Sequence, residues 1–212
     1  MKTTPPAFGL YVQVLRVLEE TGAPYMIIGG FAANIYGSNR ATHDVDIVVQ
    51  LEELHIQELV RRFPLPRYYA DPYQMRDSIA KGIMFNIIDG QAGQKVDLVP
   101  LSMDPSYSQA FRRRVRLDID DPEGRPMKVW VGRPDDIMIG KLKAWDAAHS
   151  PRHEHDIEAM LLLIYTESDP RVAGWYDERR VDREVRQLGP EASQLWQSLK
   201  KAARQAVKSR GK

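Results

Sequence analysis

The sequence predicts an α+β protein, with strands and helices interspersed over residues 1–133 and helices alone over 134–212. Three observations predict it. Two apolar runs, Tyr25–Ile28 and Asp44–Val49, flank a Gly-Gly break and a short helical stretch. A hairpin pattern spans residues 83–99. From Pro134 onward the apolar residues recur at helical spacing.

Each element has its own signal. Leu10, Val14, Leu15 and Leu18 make residues 8–21 a helix that Gly22 ends. Tyr25–Ile28 is a strand, Gly29-Gly30 allow a tight turn and close backbone approach, and Phe31–Tyr36 reads as a short helix. Gly37-Ser38-Asn39 is loop, and a second strand covers 44–49. Leu51–Arg62 is an amphipathic helix stopped by Pro64 and Pro66, and Pro72–Ala80 is another short one. Ile83–Ile88 and Lys95–Val99 read as hairpin strands around Asp89–Gly93. Residues 111–131 read as two strands around Asp121–Gly124. Helices are expected over 134–148, 156–165, 171–187 and 190–208, with His149-Ser150-Pro151 breaking the first two.

Composition excludes several classes. With 43% apolar and 28% charged residues the chain is an ordinary globular protein, not a disordered one. Its net charge of +1 argues for no global field toward nucleic acid or membrane. The tail is locally basic, with Lys200, Lys201, Arg204, Lys208, Arg210 and Lys212; it reads either as a solvated helix face or as an RNA-backbone contact. The absence of cysteine excludes disulfides and thiolate metal ligands. No signal peptide and no apolar run of transmembrane length is present, so a cytoplasmic protein is expected.

The chemistry-bearing residues begin with Asp44 and Asp46. Two apart in a strand, they point to one face, where their charges repel unless a cation sits between them. That pattern is what a divalent metal site requires. Asp97, alone among apolar neighbours, is either an edge-strand surface residue or the third member of the cluster. The helix after Gly29-Gly30 offers free amides suited to phosphate oxygens. Arg40 and Thr42 lie in the loop before Asp44: a solvated loop with Thr42 capping a turn, or a phosphate contact through Arg40. His43 projects to the opposite face, as packing or surface. His153 and His155, around Glu154, read as exposed residues rather than metal ligands.

With Gly29-Gly30, Asp44-Val45-Asp46 and Asp97 in place, the chain resembles the nucleotidyltransferases of the polymerase-beta type. The run GGFAANIYGSNRATHDVDIVV is similar to the AbiEii-type toxin nucleotidyltransferases and their bacterial relatives. So are Gly140-Lys141-Leu142-Lys143-Ala144 and the helix HDIEAMLLL from His155. The resemblance spans residues 20–165 and implies a mixed β-sheet flanked by helices, followed by a C-terminal helical bundle. It further implies transfer of a nucleoside monophosphate from an NTP to an acceptor hydroxyl, with two Mg²⁺ ions (Mn²⁺ as substitute) held by Asp44, Asp46 and Asp97. Gly29, Gly30, Arg40 and Lys141 would contact the nucleotide. The acceptor is left open among tRNA or other RNA, a protein and a small molecule, and an antitoxin partner is implied by the toxin branch. One feature departs: where those relatives carry Lys/Arg-Asp ahead of the helix aspartate, here Asp156, this chain has Arg152-His153. A non-catalytic binding module and a metal-dependent phosphohydrolase are the alternatives; the latter leaves the Gly-Gly strand-turn-helix unexplained.

Overall fold

The computed structural model describes residues 9–42, 44–121 and 123–210. His43, Pro122 and Lys212 lie outside the described residues, as does the side chain of Arg210. In chain order the elements are α1 (Gly9–Thr21), β1 (Tyr25–Ile28), α2 (Gly29–Ile35), β2 (Val45–Val49), α3 (Glu53–Arg62), β3 (Tyr68–Tyr69), α4 (Pro72–Lys81), β4 (Phe85–Asp89) and β5 (Gln94–Pro100). A 3-10 turn (Leu101–Met103) follows, then α5 (Pro105–Arg113), β6 (Val115–Asp120) and β7 (Pro126–Val131). The remainder is helical: α6 (Pro134–Ala148), α7 (Pro151–Tyr165), α8 (Pro170–Trp175), α9 (Glu178–Val185) and α10 (Pro190–Arg210). The α+β class, the mixed sheet and the helical C-terminal stretch are therefore as expected.

The described residues of Met1–Ile28 and Thr42–Val131 form one compact unit, and those of Gly29–Ala41 and Gly132–Lys212 form a second. The chain passes between the units three times, the last after Val131, where the sequence expectation had one boundary at 133/134. The segment Gly29–Ala41, expected with the N-terminal part, groups instead with the C-terminal helices.

All seven strands belong to the first unit, in the order β3-β4-β5-β2-β1-β7-β6. Strands β2 and β5 pair in parallel, as do β1 and β7, and the other neighbours are antiparallel. The central strands are largely buried and apolar, interrupted on one face by Asp46 of β2 and by Lys95 and Asp97 of β5. On one face Met26, Val48 and Val99 pack against Ala110 and Phe111 of α5. Helix α1, with seven buried residues, packs on β5 and α3. Its end follows its sequence: Gly22 takes φ +70, a left-handed conformation that costs glycine little, and the Ala23 amide bonds back to the Leu18 carbonyl. The β4–β5 turn is pinned by Asp89, whose carboxylate accepts from the Gln91 and Ala92 amides and pairs with Arg67 at 2.8 Å.

Several expectations need correction. Residues 111–113 end a helix, α5, begun by Asp104, which accepts from the Ser106 amide ahead of Pro105 at the first helical position. Helix α2 takes both glycines into its first turn instead of leaving them as a separate turn. Helix α7 starts at Pro151, five residues earlier than expected, so His153 lies inside a helix and is buried. The stretch 171–187 is two helices, because Tyr176 is extended and Asp177 caps α9 through the Arg180 amide. No helix among the described residues is long and apolar enough to cross a membrane.

Candidate functional site

In the sheet unit, parallel pairing sets Asp46 of β2 directly beside Asp97 of β5. The antiparallel neighbours extend this row to Ile28 on β1 and Asn86 on β4. Alternation along each strand places the row on the same face as Met26, Val48 and Val99, the face covered by α5. The negative charge of Asp46 reaches the Tyr107 hydroxyl on α5. Burial first, then the charges of Asp104 and Asp46, push that phenol up from its ordinary value. Asp44 immediately precedes β2, and the Thr42 hydroxyl donates to its carbonyl at 3.2 Å, holding the turn that leads into the strand.

Asp97 is not an edge residue. Strand β5 lies between β4 and β2, and the Asp97 side chain is 7% exposed, against 52% for Asp44. An ionised carboxylate in such surroundings needs partners, and two supply them. The Asn86 amide donates to Asp97 Oδ1. Lys95, two residues back on the same face of β5, brings its Nζ to 3.0 Å from Oδ2 and 3.4 Å from Oδ1. The same ammonium lies 3.5 Å from Asp44 Oδ1. The hydrogen bond to Asp97, outweighing the effect of burial, holds the Lys95 ammonium above the usual lysine range.

Among the described residues, no group of three His, Asp or Glu side chains is gathered closely enough to hold a metal ion as it stands. The donor set nevertheless fits a hard divalent cation. It is all carboxylate oxygen, two of its members are register partners, and a cation, the Lys95 ammonium, already bridges Asp97 and Asp44.

In the helical unit the remaining candidates gather around Asp156 of α7. This carboxylate is fully buried. It accepts from the Ser38 hydroxyl at 2.8 Å and from Arg40 Nε and Nη2, both at 3.3 Å, and it pairs with Lys141 Nζ of α6 at 2.6 Å. Burial alone would raise the Asp156 carboxyl. Hydrogen bonds from Arg40 and Lys141, the Lys141 charge and the Ser38 hydroxyl together outweigh it and hold the group below the ordinary aspartate value. Lys141 is therefore no surface lysine; its side chain is 6% exposed. Arg40 keeps 30% exposure and also donates to the Ala41 carbonyl. The loop carrying Ser38 and Arg40 is shaped by Asn34, whose amide donates to the Arg40 carbonyl at 3.0 Å. Gly29, the first residue of α2, has φ +70, and Gly30 follows within the helix.

His153, one turn before Asp156, is buried, with no hydrogen-bond partner for its Nδ1 among the described residues. Burial first, then the charges of Lys141 and Arg152, lower its pKa from the ordinary histidine value.

Sequence reasoning picked out the three acids, Gly29, Gly30, Arg40 and Lys141, but passed over Lys95, Asn86, Ser38 and the joining role of Asp156. Lys95 carried a signal in its spacing from Asp97, since strand alternation puts both on one face. Asp156 was marked only as the helix aspartate of the resemblance, and nothing local pointed to its partners. Its partners Ser38 and Arg40 lie 118 and 116 residues away.

No family model matches this chain, and no curated protein matches it. Among solved structures it is similar to an antigenic nucleotidyltransferase-like protein from Paracoccidioides brasiliensis, at 17% identity and a TM-score of 0.46, over 76% of this chain and 78% of that one. It is similar to JHP933 from Helicobacter pylori at 15% identity and a TM-score of 0.46, over 100% and 97%. The antibiotic-resistance factor ANT(2'')-Ia matches at 14% identity and a TM-score of 0.43, over 98% and 96%.

Proposed function

We propose that this protein is a metal-dependent nucleotidyltransferase that moves a nucleoside monophosphate from an NTP to an acceptor hydroxyl. The observation that carries this reading is the register of β2 and β5, which sets Asp46 and Asp97 side by side with Asp44 at the head of the same strand face. Neighbouring carboxylates such as Asp46 and Asp97 repel one another, and no packing requirement explains the pair.

Asp44, Asp46 and Asp97 would hold Mg²⁺ or Mn²⁺, which when bound would polarise the α-phosphate and stabilise the charge of the attacking and leaving oxygens. In the reaction the acceptor oxygen forms a bond to the α-phosphorus and the bond from that phosphorus to the bridging oxygen breaks, releasing pyrophosphate. The proton of the acceptor hydroxyl passes to the Asp97 carboxylate, a general-base contribution on the order of 10²–10⁴-fold. For the nucleotide's phosphates, Arg40 and Lys141 bring two positive charges against the single Asp156 carboxylate. Gly29 and Gly30 offer backbone amides without side-chain obstruction.

The acceptor class we favour is RNA, tRNA among them. Supporting it, the exposed Lys201, Arg204 and Lys208 recur at three and four residues along α10 and so share one helix stripe. A toxin role with an antitoxin partner rests on the motif similarity to AbiEii-type enzymes. A second reading, a non-catalytic binding module, draws support from the Lys95 ammonium lying between Asp97 and Asp44.

Incubation with each α-labelled NTP, Mg²⁺ and total tRNA separates the two. Label entering RNA with the wild type and not with Asp46→Asn supports the enzyme and identifies its nucleotide. Turnover retained in Asp46→Asn refutes the role of the acids. Nucleotide binding without transfer moves the search to protein and small-molecule acceptors, and loss of both favours the binding module.

A further inference from the structure

We propose that Lys95 is the resident counter-cation of the acidic cluster, and that a metal ion loads only by displacing its ammonium from between Asp97 and Asp44. The inference rests on the reading of Asp44, Asp46 and Asp97 as metal ligands, and concerns a residue that reading does not use.

The geometry is specific. One Nζ contacts both oxygens of Asp97, at 3.0 and 3.4 Å, and approaches Asp44 Oδ1 at 3.5 Å. A cation shared by these two side chains would need the volume that the ammonium fills. With Asn86 donating to Oδ1, the Asp97 carboxylate is satisfied without any metal. The charge arithmetic agrees. Asp44 and Asp97 together carry a formal −2, which the shared Lys95 ammonium brings to −1. Without that ammonium the two carboxylates would repel each other, with Asp97 buried.

Displacement is also mechanically simple. The Lys95 side chain is 44% exposed and turns on a flexible four-carbon stem, so its head can leave for water without disturbing the strand. The incoming phosphates of a nucleotide offer that head a second anion. Lys95 thus favours loading of metal together with nucleotide over metal alone.

The test measures Mn²⁺ binding directly, by calorimetry and by the loss of free Mn²⁺ signal in electron paramagnetic resonance, with no nucleotide present. Lys95→Met keeps the length of the stem and removes the charge, and Lys95→Arg keeps a charge. Lys95→Met is expected to bind Mn²⁺ about tenfold tighter than wild type or more, because a positive charge within hydrogen-bonding distance of the ligands is gone. Lys95→Arg should stay near wild type. Circular dichroism checks that both variants fold. Equal or weaker Mn²⁺ binding by Lys95→Met, with Asp46→Asn abolishing it, overturns the inference and leaves the metal reading standing. If neither wild type nor Lys95→Met binds Mn²⁺ at millimolar metal, both fall.

Discussion

Replacing Asp156 by asparagine keeps the shape of the side chain and removes the charge that Lys141 faces at 2.6 Å. Lys141 is then a cation at 6% exposure with its carboxylate gone, and breaking a buried pair on one side costs about 3–5 kcal/mol. Arg40, at 30% exposure, can turn toward water, so its share is smaller, on the order of 0–1 kcal/mol. For a chain of this length each kcal/mol moves the melting temperature by about 2–4 °C, so Asp156→Asn should melt roughly 6–24 °C below wild type. Urea unfolding followed by tryptophan fluorescence and far-ultraviolet circular dichroism gives the free energy. The double variant Asp156→Asn/Lys141→Met is the sharper arm. Removing both charges leaves neither uncompensated, so much of the lost stability should return. A single variant costing less than about 1 kcal/mol, or a double variant no better than the single, would refute the account of Asp156 as the charge on which Lys141 depends. Acid tests the same group. With its folded-state pKa depressed, Asp156 contributes stability that is complete above the ordinary aspartate value of about 3.9 and fades as pH falls through the folded value. That part of the acid transition should be missing in Asp156→Asn.

Two further outcomes follow from the helical unit. Gly37 has φ +98, and a Cβ there would sit 2.9 Å from Leu163 Cδ1 and 3.1 Å from Leu163 Cβ; Gly37→Ala should lose about 1–3 kcal/mol in urea unfolding, and a neutral result would contradict the backbone geometry of this loop. His153, with its pKa held below 6.5, contributes stability that is complete above about pH 6.5 and is lost as pH falls through the folded value; unfolding free energies between pH 7.5 and 5 should therefore fall less steeply in His153→Gln, and equal slopes would exclude His153 as the source.

The legible parts of this fold are those whose signals are local. Apolar alternation located β1, β2 and the β4–β5 hairpin, and helical spacing located α1, α3 and α6 within one or two residues. Asp46 was legible as a strand residue, whereas Asp44 lies one residue ahead of β2, outside the alternation that was expected to carry it. Helix α5 was missed although Asp104-Pro105 is a start signal, because the apolar positions near Phe111 were read with the strand that follows. The burial of Asp97 and Lys141 was not legible. It depends on β5 having neighbours on both sides and on Asp156 arriving from α7, which are consequences of topology and not of neighbouring residues. The departure at Arg152-His153 says nothing of Asp156, the α7 carboxylate that Lys141, Arg40 and Ser38 meet.

The path of the main chain between the two units carries a consequence for how this protein can be cut or recombined. It leaves the sheet unit at Ile28–Gly29, returns at Ala41–Thr42 and departs again at Val131–Gly132. Neither unit is an unbroken stretch of sequence. A fragment ending at Val131 would keep Tyr36 and Ser38 but lose Gly132 and Asp156, to which they bond. A fragment starting at Gly132 would keep those acceptors and lose the donors. No single scission yields either half intact. A graft of the helices onto another sheet must therefore bring the thirteen-residue excursion Gly29–Ala41 along with them.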